Sequence, residues 1–217
     1  MAACFLRNRM NNRSIIYIDG FNLYYGALKN TSYKWLNVEK LFSLLRQDDD
    51  IQKIKYFTAL ITGNHQDRQI TYLQALKTCK KVEPIYGLFK LKSIVCQVRN
   101  CRYHGNKIFQ VPEEKKTDVN IAVHIIDDAY NNLMDRIILV SGDSDLVPAL
   151  RLVRKLFPHI KISVYIPANV PIRGAARQLR DLSHKHSILP NNLLRLSQFP
   201  EELTLSDGSV IHKPIDW

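Results

Sequence analysis

Four aspartates, in three separate stretches of the chain, are the residues best suited to chemistry. Asp19 follows one apolar run, Asp118 lies at the start of a helical pattern, and Asp143 and Asp145 follow a second apolar run. Carboxylate oxygens are the ligands that Mg²⁺ and Mn²⁺ prefer, with water and substrate phosphate completing the coordination shell. Carboxylates a few ångströms apart repel one another unless a cation neutralises them. We therefore expect all four to be metal ligands and catalytic residues at one Mg²⁺ or Mn²⁺ site.

Polar residues beside these aspartates extend the predicted site. Asn22 follows Asp19 by three residues, and an amide there could orient a carboxylate or a substrate phosphate, which predicts a catalytic role. Ser141 and Ser144 lie in the second acidic turn and are predicted to bind substrate. Structural alternatives stay open, because Asp19 could be an ordinary turn residue, and Asn22 or Asp145 a helix N-cap.

The elements that would position these residues alternate between strand and helix. Short apolar runs predict strands at residues 14–18, 54–60, 82–91, 136–140 and 161–166. Helical periodicity predicts helices at residues 38–46, 66–80, 118–131, 145–156 and 173–182, the third with Thr117 as its N-cap. This alternation is typical of an α/β fold with a doubly wound, mainly parallel central sheet and helices on both faces. Such sheets bind ligands at the carboxyl ends of their strands.

The chain divides into one domain and a tail. We expect the domain over residues 14–189, with residues 92–112 as an inserted loop or hairpin because Cys, Asn, His and Gly interrupt the alternation there. Residues 190–217 lose helical periodicity and are predicted to form an extended C-terminal arm packed on the domain, with a turn at residues 206–209.

The charge balance points to a polyanionic partner. Thirty-one Lys and Arg against 20 Asp and Glu give a formal charge of +11, which favours nucleic acid over an acidic protein or a small neutral substrate. Lys115 and Lys116 precede Asp118, and Arg173 and Arg177 recur at helical spacing with Arg180. We predict that these basic residues contact substrate phosphates, with a solvated helix face as the alternative. Tyr24 and Tyr25 could stack on bases, although packing is the more common role for aromatic residues at a helix start.

The four cysteines suggest a reducing compartment rather than a secreted disulfide framework. Cys96, Cys101 and His104 have a spacing that could hold a structural zinc ion, but the paired Cys-x2-Cys knuckles of a strong zinc signature are missing. A disulfide or free thiols are the alternatives. No signal-peptide pattern or membrane span is visible, so we expect a soluble, cytoplasmic protein.

Three segments, taken together and in this order, resemble the NYN domain family of PIN-like nucleases, and most closely its bacterial LabA-like branch. They are residues 17–23, 114–122 and 141–146, and the resemblance extends over about residues 15–189. It implies a PIN-like fold and a metal-dependent ribonuclease with Asp19, Asp118, Asp143 and Asp145 as the acidic site and Asn22 beside it. The implied products are a 5′-phosphate and a 3′-hydroxyl.

One local departure from the family concerns the helix that begins near Asp118. Many relatives carry a further Asp one or two helical turns beyond Asn120, where this chain has Ile, Ala, Val and His. Asp127 and Asp128 are therefore secondary candidates for that position.

Two rival functions remain open from the sequence. A haloacid dehalogenase-like phosphatase would also place an Asp after its first strand, but it needs a second acid two residues later, where Phe21 stands. The other rival is a non-catalytic RNA-binding module of the same fold, against which the intact acids argue. The expected partner is single-stranded or structured RNA, and the expected assembly is a monomer or a homodimer.

Overall fold

The computed structural model describes residues 12–63, 65–168, 177–215 and 217. Its central sheet has six strands, and every neighbouring pair in it is parallel. The strands are β1 Asn12–Asp19, β2 Asp49–Thr58, β3 Val82–Tyr86, β6 Arg136–Val140, β7 Lys161–Ile166 and β8 Lys185–Ile188, in the order β3-β2-β1-β6-β7-β8. The predicted doubly wound, mainly parallel α/β fold is thus confirmed.

Helices cover both faces of this sheet. They are α1 Gly20–Leu23, α2 Val38–Leu45, α3 Gln66–Lys77, α4 Thr117–Tyr130, α5 Val147–Leu156, α6 Arg177–Leu182 and α7 Asn191–Leu196. A π-helical turn, Tyr24–Leu28, continues α1, and a 3₁₀ turn, Ser144–Leu146, precedes α5. Within the described ranges, no helix has both the length and the apolar character needed to cross a membrane.

Strand β1 separates two hydrophobic cores. Ile16 and Ile18 face the core shared with α2 and α3, whereas Ile15 and Tyr17 face the core shared with α4 and α5. Side chains of a strand alternate between its two faces, so a central parallel strand must be apolar at successive positions. This double burial explains why the first strand reads as a continuous apolar run.

The carboxyl ends of the central strands meet at one edge of the sheet. Asp19 at the end of β1 is aligned with Phe57 in β2, and Ile18 is aligned with Val140 in β6. The chain leaves β1 toward β2 and β3 on one side and later returns to β6 on the other. The end of β1 is therefore the topological switch point, where open α/β sheets leave a crevice for ligands.

An antiparallel hairpin stands between β3 and α4. It consists of β4 Leu88–Val95 and β5 Ile108–Lys115. The single strand predicted over residues 82–91 is wrong, since Gly87 separates β3 from β4 and donates its N–H to the carbonyl of Thr58 at 2.7 Å. A Cβ at Gly87 would lie 2.6 Å from Thr117 Oγ1, so only glycine allows this close approach.

The segment after β8 packs back on the domain. It contains α7 and a short hairpin, β9 Glu202–Thr204 and β10 Val210–His212, whose turn includes residues 206–209. Trp35 anchors the segment because its Nε1 donates to the carbonyl of Pro200 at 2.7 Å and its ring contacts Phe199 and Trp217.

Candidate functional site

Asp19 lies in the middle of the switch-point edge and is buried, with 4% of its surface exposed. Its Oδ1 accepts a hydrogen bond from the backbone N–H of Asn22 at 2.9 Å, and its Oδ2 accepts one from Ser141 Oγ at 3.1 Å. The side chain also caps the short helix α1. A helix cap, which the sequence analysis considered for Asn22 and Asp145 but not for Asp19, and a place in the acidic cluster therefore coexist in this residue.

Asn22 links β1 to the second acidic turn. Its Oδ1 accepts the N–H of Gly142 at 3.0 Å, so the amide of Asn22 bridges the two turns that carry acids. The side chain of Asn22 does not cap a helix. This bridge fixes the position of Gly142 relative to Asp19.

The turn after β6 is held by its own hydrogen bonds. Ser141 is fully buried, and its Oγ accepts the N–H of Asp143 at 3.0 Å while donating to Asp19. Asp143 caps the 3₁₀ turn by accepting the N–H of Asp145 at 2.9 Å, and Ser144 is the first residue of that turn. Asp145 is exposed and is not the N-cap. Ser141 thus organises the acids, and Ser144 lies among them.

Helix α4 brings Asp118 to the same edge. The predicted N-cap at Thr117 is wrong, because Thr117 is the first helical residue and Lys116 precedes it in the left-handed region with φ of 76°. Thr117 Oγ1 is buried, and the Thr117 side chain contacts the carboxyl of Glu114. Asp118 shares its helix face with Ile121 and Ile125, which pack in the core below it.

Mutual repulsion marks the acids as one cluster. The side chain of Asp118 is exposed to solvent, yet its pKa is raised to about 6. The larger cause is that neighbouring groups displace water from the carboxylate. The charges of Asp19, Asp143 and Asp145 add to this effect. Burial also raises the pKa of Asp19, and the charge of Asp143 raises it further. The hydrogen bonds from Asn22 and Ser141 lower the pKa of Asp19 but do not cancel the rise. Acids that disfavour one another's ionisation must lie close together.

Glu114 is a fifth acid of this cluster that the sequence analysis did not select. Burial raises its pKa to about 7, and the charges of Asp19 and Asp118 contribute to that rise. A side-chain hydrogen bond with Thr117 opposes this rise, and the Oε1 atom of Glu114 is buried. Glu114 lies near the end of β5, so the hairpin delivers it to the edge, and its spacing of four residues before Asp118 is the one signal that the sequence offered.

The acids lie near one another but do not form a preassembled metal site. In the residues the structure describes, no three His, Cys, Asp or Glu side chains are placed so that they could hold a metal ion. That finding covers both the acidic edge and the zinc candidates Cys96, Cys101 and His104. Two hydrogen bonds lower the pKa of Cys96, the larger effect coming from the backbone N–H of Val98 and the smaller from the thiol of Cys101. The thiols of Cys96 and Cys101 therefore interact.

The basic residues predicted to contact substrate have different surroundings. Lys115 is exposed and pairs with Glu113 at 3.1 Å, and Lys116 is exposed beside Asp118. Arg177 is exposed on α6 with Asp181 at 3.9 Å, and Arg173 lies outside the described residues.

The two secondary acid candidates do not join the cluster. Asp128 is buried and accepts hydrogen bonds from Lys55 Nζ and Tyr17 Oη, both at 2.6 Å. Its charge is therefore neutralised by Lys55. Asp127 is exposed and accepts from Asn131 near the end of α4. The charges that raise the pKa of Asp118 are those of Asp19, Asp143 and Asp145.

An aromatic cavity of about 380 Å³ opens beside the acidic edge. We call it the aromatic pocket, and its aromatic lining consists of Phe21, Tyr24, Tyr25, Tyr56, Tyr72 and Trp217. Gly20, the residue after Asp19, forms part of its wall, and Lys29, Lys34, His65 and Arg68 add basic groups.

A larger cavity of about 500 Å³ lies at the opposite edge of the sheet, among the residues that precede β2. Its buried carboxylate, Asp49, accepts hydrogen bonds from Ser14 Oγ and Arg46 Nε, both at 2.9 Å. The positive charge of Arg46 neutralises the negative charge of Asp49. This cavity is far from the switch point, and its described lining does not contain a cluster of unpaired acids like the one at the other edge.

Comparisons with known proteins place the chain in a family. The family model described as NYN domain matches residues 13–189. A curated relative, 6-hydroxy-3-succinoylpyridine 3-monooxygenase HspA of Pseudomonas putida (strain DSM 28022 / S16), is 29% identical, and the alignment covers 94% of this chain and 75% of the relative. A crystal structure of a protein of unknown function from Vibrio parahaemolyticus RIMD 2210633 shares the fold, with a TM-score of 0.53, 18% identity, and coverage of 84% of this chain and 95% of that one. Because the family model spans most of the sequence, the chain belongs to the NYN domain family.

Proposed function

We propose that the chain is a divalent-cation-dependent ribonuclease whose catalytic site is the acidic edge. The observation that carries the proposal is the convergence of Asp19, Asp118 and Asp143 from three elements, close enough that the charges of Asp19 and Asp143 add to the effect of burial in raising the pKa of Asp118 to about 6. Such a cluster is unfavourable for the fold alone and suits a site that receives positive charge.

The donor set fits Mg²⁺ or Mn²⁺. Asp19, Asp118, Asp143 and Asp145 offer only oxygen atoms, and Glu114 adds a buried carboxylate oxygen. Mg²⁺ keeps several water ligands and uses one or two carboxylates, so a loose group of acids is compatible with it. The chemistry that such a cation supplies when bound is charge neutralisation at the phosphodiester and activation of water.

The residues of the chain itself would position the reaction. Ser141 and the backbone of Asn22 hold the Asp19 carboxylate in one orientation, while the Asn22 amide fixes Gly142 and the turn of Asp143. Lys115 and Lys116 would contact the RNA backbone beside the acids. Hydrolysis would add water across the bond between phosphorus and the 3′-oxygen, leaving a 5′-phosphate and a 3′-hydroxyl.

A matched pair of variants on one helix tests the proposal. Asp118→Asn and Asp127→Asn remove the same charge from exposed positions of α4, but only Asp118 belongs to the cluster. With Mn²⁺ and a labelled single-stranded RNA, we expect Asp118→Asn to lower the cleavage rate by about 100-fold or more and Asp127→Asn to leave it within about twofold. Equal rates in both variants would refute the assignment, and equal rates with EDTA would refute the cation requirement.

A second candidate function is oxidation of a small heteroaromatic acid. The relative named as 6-hydroxy-3-succinoylpyridine 3-monooxygenase and the aromatic pocket favour it. A monooxygenase transfers one atom of O₂ to the substrate and reduces the other to water with two electrons from a reductant. Consumption of 6-hydroxy-3-succinoylpyridine only with O₂ and a reduced nicotinamide, and no RNA cleavage, would favour this candidate.

A further inference from the structure

We propose that the aromatic pocket binds one unpaired nucleobase of the RNA whose phosphate lies at the acidic edge. This inference rests on the proposed ribonuclease function and adds a substrate class to it, namely single-stranded RNA recognised through a base. The pocket is concave, lies at the same edge of the sheet as Asp19, and is lined by aromatic rings from α1, β2 and α3 together with Trp217.

Tyr25 offers the most accessible ring. It is 61% exposed, whereas a tyrosine used only for packing would be covered. Its ring stacks at 6.4 Å and 20° on Phe21 and meets Tyr24 edge-on at 5.2 Å, so its orientation is supported from two sides. A supported aromatic ring that remains exposed is the usual platform for a nucleobase in single-stranded recognition.

Tyr56 supplies a hydrogen-bonding group inside the pocket. Its ring is only 5% exposed and lines the pocket. The hydroxyl of the neighbouring Tyr72 is already used, because it donates to the carbonyl of Leu36 at 2.8 Å. The hydroxyl of Tyr56 could instead pair with the edge of a nucleobase, which provides both donors and acceptors.

The backbone connects the pocket to the acids. Gly20 directly follows Asp19, and a Cβ there would lie 2.9 Å from the ring of Tyr56 and 2.7 Å from the carbonyl oxygen of Phe57. Glycine therefore lets the Tyr56 ring lie against the chain next to the acidic edge. A base in the pocket and its own phosphate at the acids would be neighbours in one nucleotide.

Charge around the pocket suits the same ligand. Lys29 Nζ lies over the Tyr25 ring, 4.9 Å from its centre, so a stacking base would displace this flexible side chain toward the sugar-phosphate chain. Lys34 and Arg68 also line the pocket. A cationic rim above an aromatic floor is the combination that single-strand binding proteins use.

Binding without cleavage tests the inference. Fluorescence polarisation in EDTA would compare a short labelled oligouridylate with a chain of abasic ribose phosphates of equal length. We expect Tyr25→Ala to weaken oligouridylate binding about tenfold, Tyr25→Phe to keep it within about twofold, and neither to change binding of the abasic chain. Tyr56→Phe, which removes the hydroxyl proposed to pair with the base, should weaken oligouridylate binding about threefold. Tyr130→Ala, at a 79% exposed tyrosine on α4, is the control without effect.

The outcomes separate this inference from the proposed function. Equal losses for oligouridylate and the abasic chain, or no loss with Tyr25→Ala, would overturn the base pocket. Tighter binding of a pyridine carboxylic acid than of uridine monophosphate would also overturn it, in favour of a small heteroaromatic ligand. Base-dependent binding without any cleavage in Mn²⁺ would support the pocket and refute the ribonuclease.

Discussion

Removing the buried cation Lys55 should destabilise the fold severely. Lys55 Nζ lies 2.9 and 2.6 Å from the two carboxylate oxygens of Asp128, and the two side chains are 8% and 4% exposed. Lys55→Met keeps the length and packing of the side chain but leaves Asp128 charged and buried. Breaking a buried pair in this way costs about 3–5 kcal/mol, which is a large part of the roughly 5–15 kcal/mol that stabilises a typical domain.

Two further variants show whether the uncompensated charge is the cause. Asp128→Asn added to Lys55→Met removes that charge and keeps an oxygen that accepts from Tyr17 Oη, so we expect it to restore about 2 kcal/mol. Lys53→Met is the matched control on the same strand, since its pair with Glu83 at 2.9 Å is about half exposed and contributes at most about 1 kcal/mol.

Urea unfolding followed by the fluorescence of the buried Trp35 measures all of these variants. The measurement is best made near pH 8, about one and a half units above the usual pKa of histidine, because His124 lies 3.1 Å from Lys55 and could otherwise replace the lost charge. A loss below about 1 kcal/mol for Lys55→Met, or a double variant as unstable as the single one, would refute the reasoning.

Two other predictions concern pH and metal. Burial first, and then the charge of Lys55, lower the pKa of His124 below the usual histidine value of 6.5. As the pH falls, His124 is therefore protonated in the unfolded chain before it is protonated in the folded protein. The free energy of unfolding decreases as the pH falls from 6.5 through the pKa of the folded state. In thermal unfolding, the Tm of His124→Gln should decrease less with falling pH than the Tm of the wild type. Asp118→Asn should raise the Tm in EDTA by about 2–5 °C because it relieves repulsion from Asp19 and Asp143, and it should reduce the Tm increase that Mn²⁺ gives the wild type. A larger Mn²⁺ shift in the variant than in the wild type would contradict the cation site.

The sequence predicted the sheet well because burial leaves a strong pattern. β6 and β7 have the predicted bounds, since strands covered on both faces must be apolar throughout. The acids after β1 and β6 could be predicted for the same reason, because each follows a strand whose carboxyl end is visible in the sequence. Their roles as ligands stay predictions.

Features that depend on tertiary contacts escaped the sequence analysis. Glu114 lies near the other acids because β5 pairs with β4 and aligns Glu114 with Phe89. This strand pairing could not be predicted from a local sequence pattern. The π-helical turn Tyr24–Leu28 depends on Gly26, where a Cβ would lie 2.0 Å from the carbonyl oxygen of Pro167. Tyr56 has the sequence pattern of an ordinary buried strand residue, and its place in the wall of the aromatic pocket is apparent only in three dimensions.

The place of β1 in the sheet has a consequence for how the protein is synthesised. β1 pairs with β2 through Asn12 and Asp49, but its partner on the other side, β6, begins at Arg136. A nascent chain can assemble the first half of the sheet while the acids of the second turn are still in the ribosome. Docking of β6 on β1 is a long-range step that closes late and comparatively slowly. We therefore expect the charges of Asp143 and Asp145 to join that of Asp19 only once β6 has docked on β1.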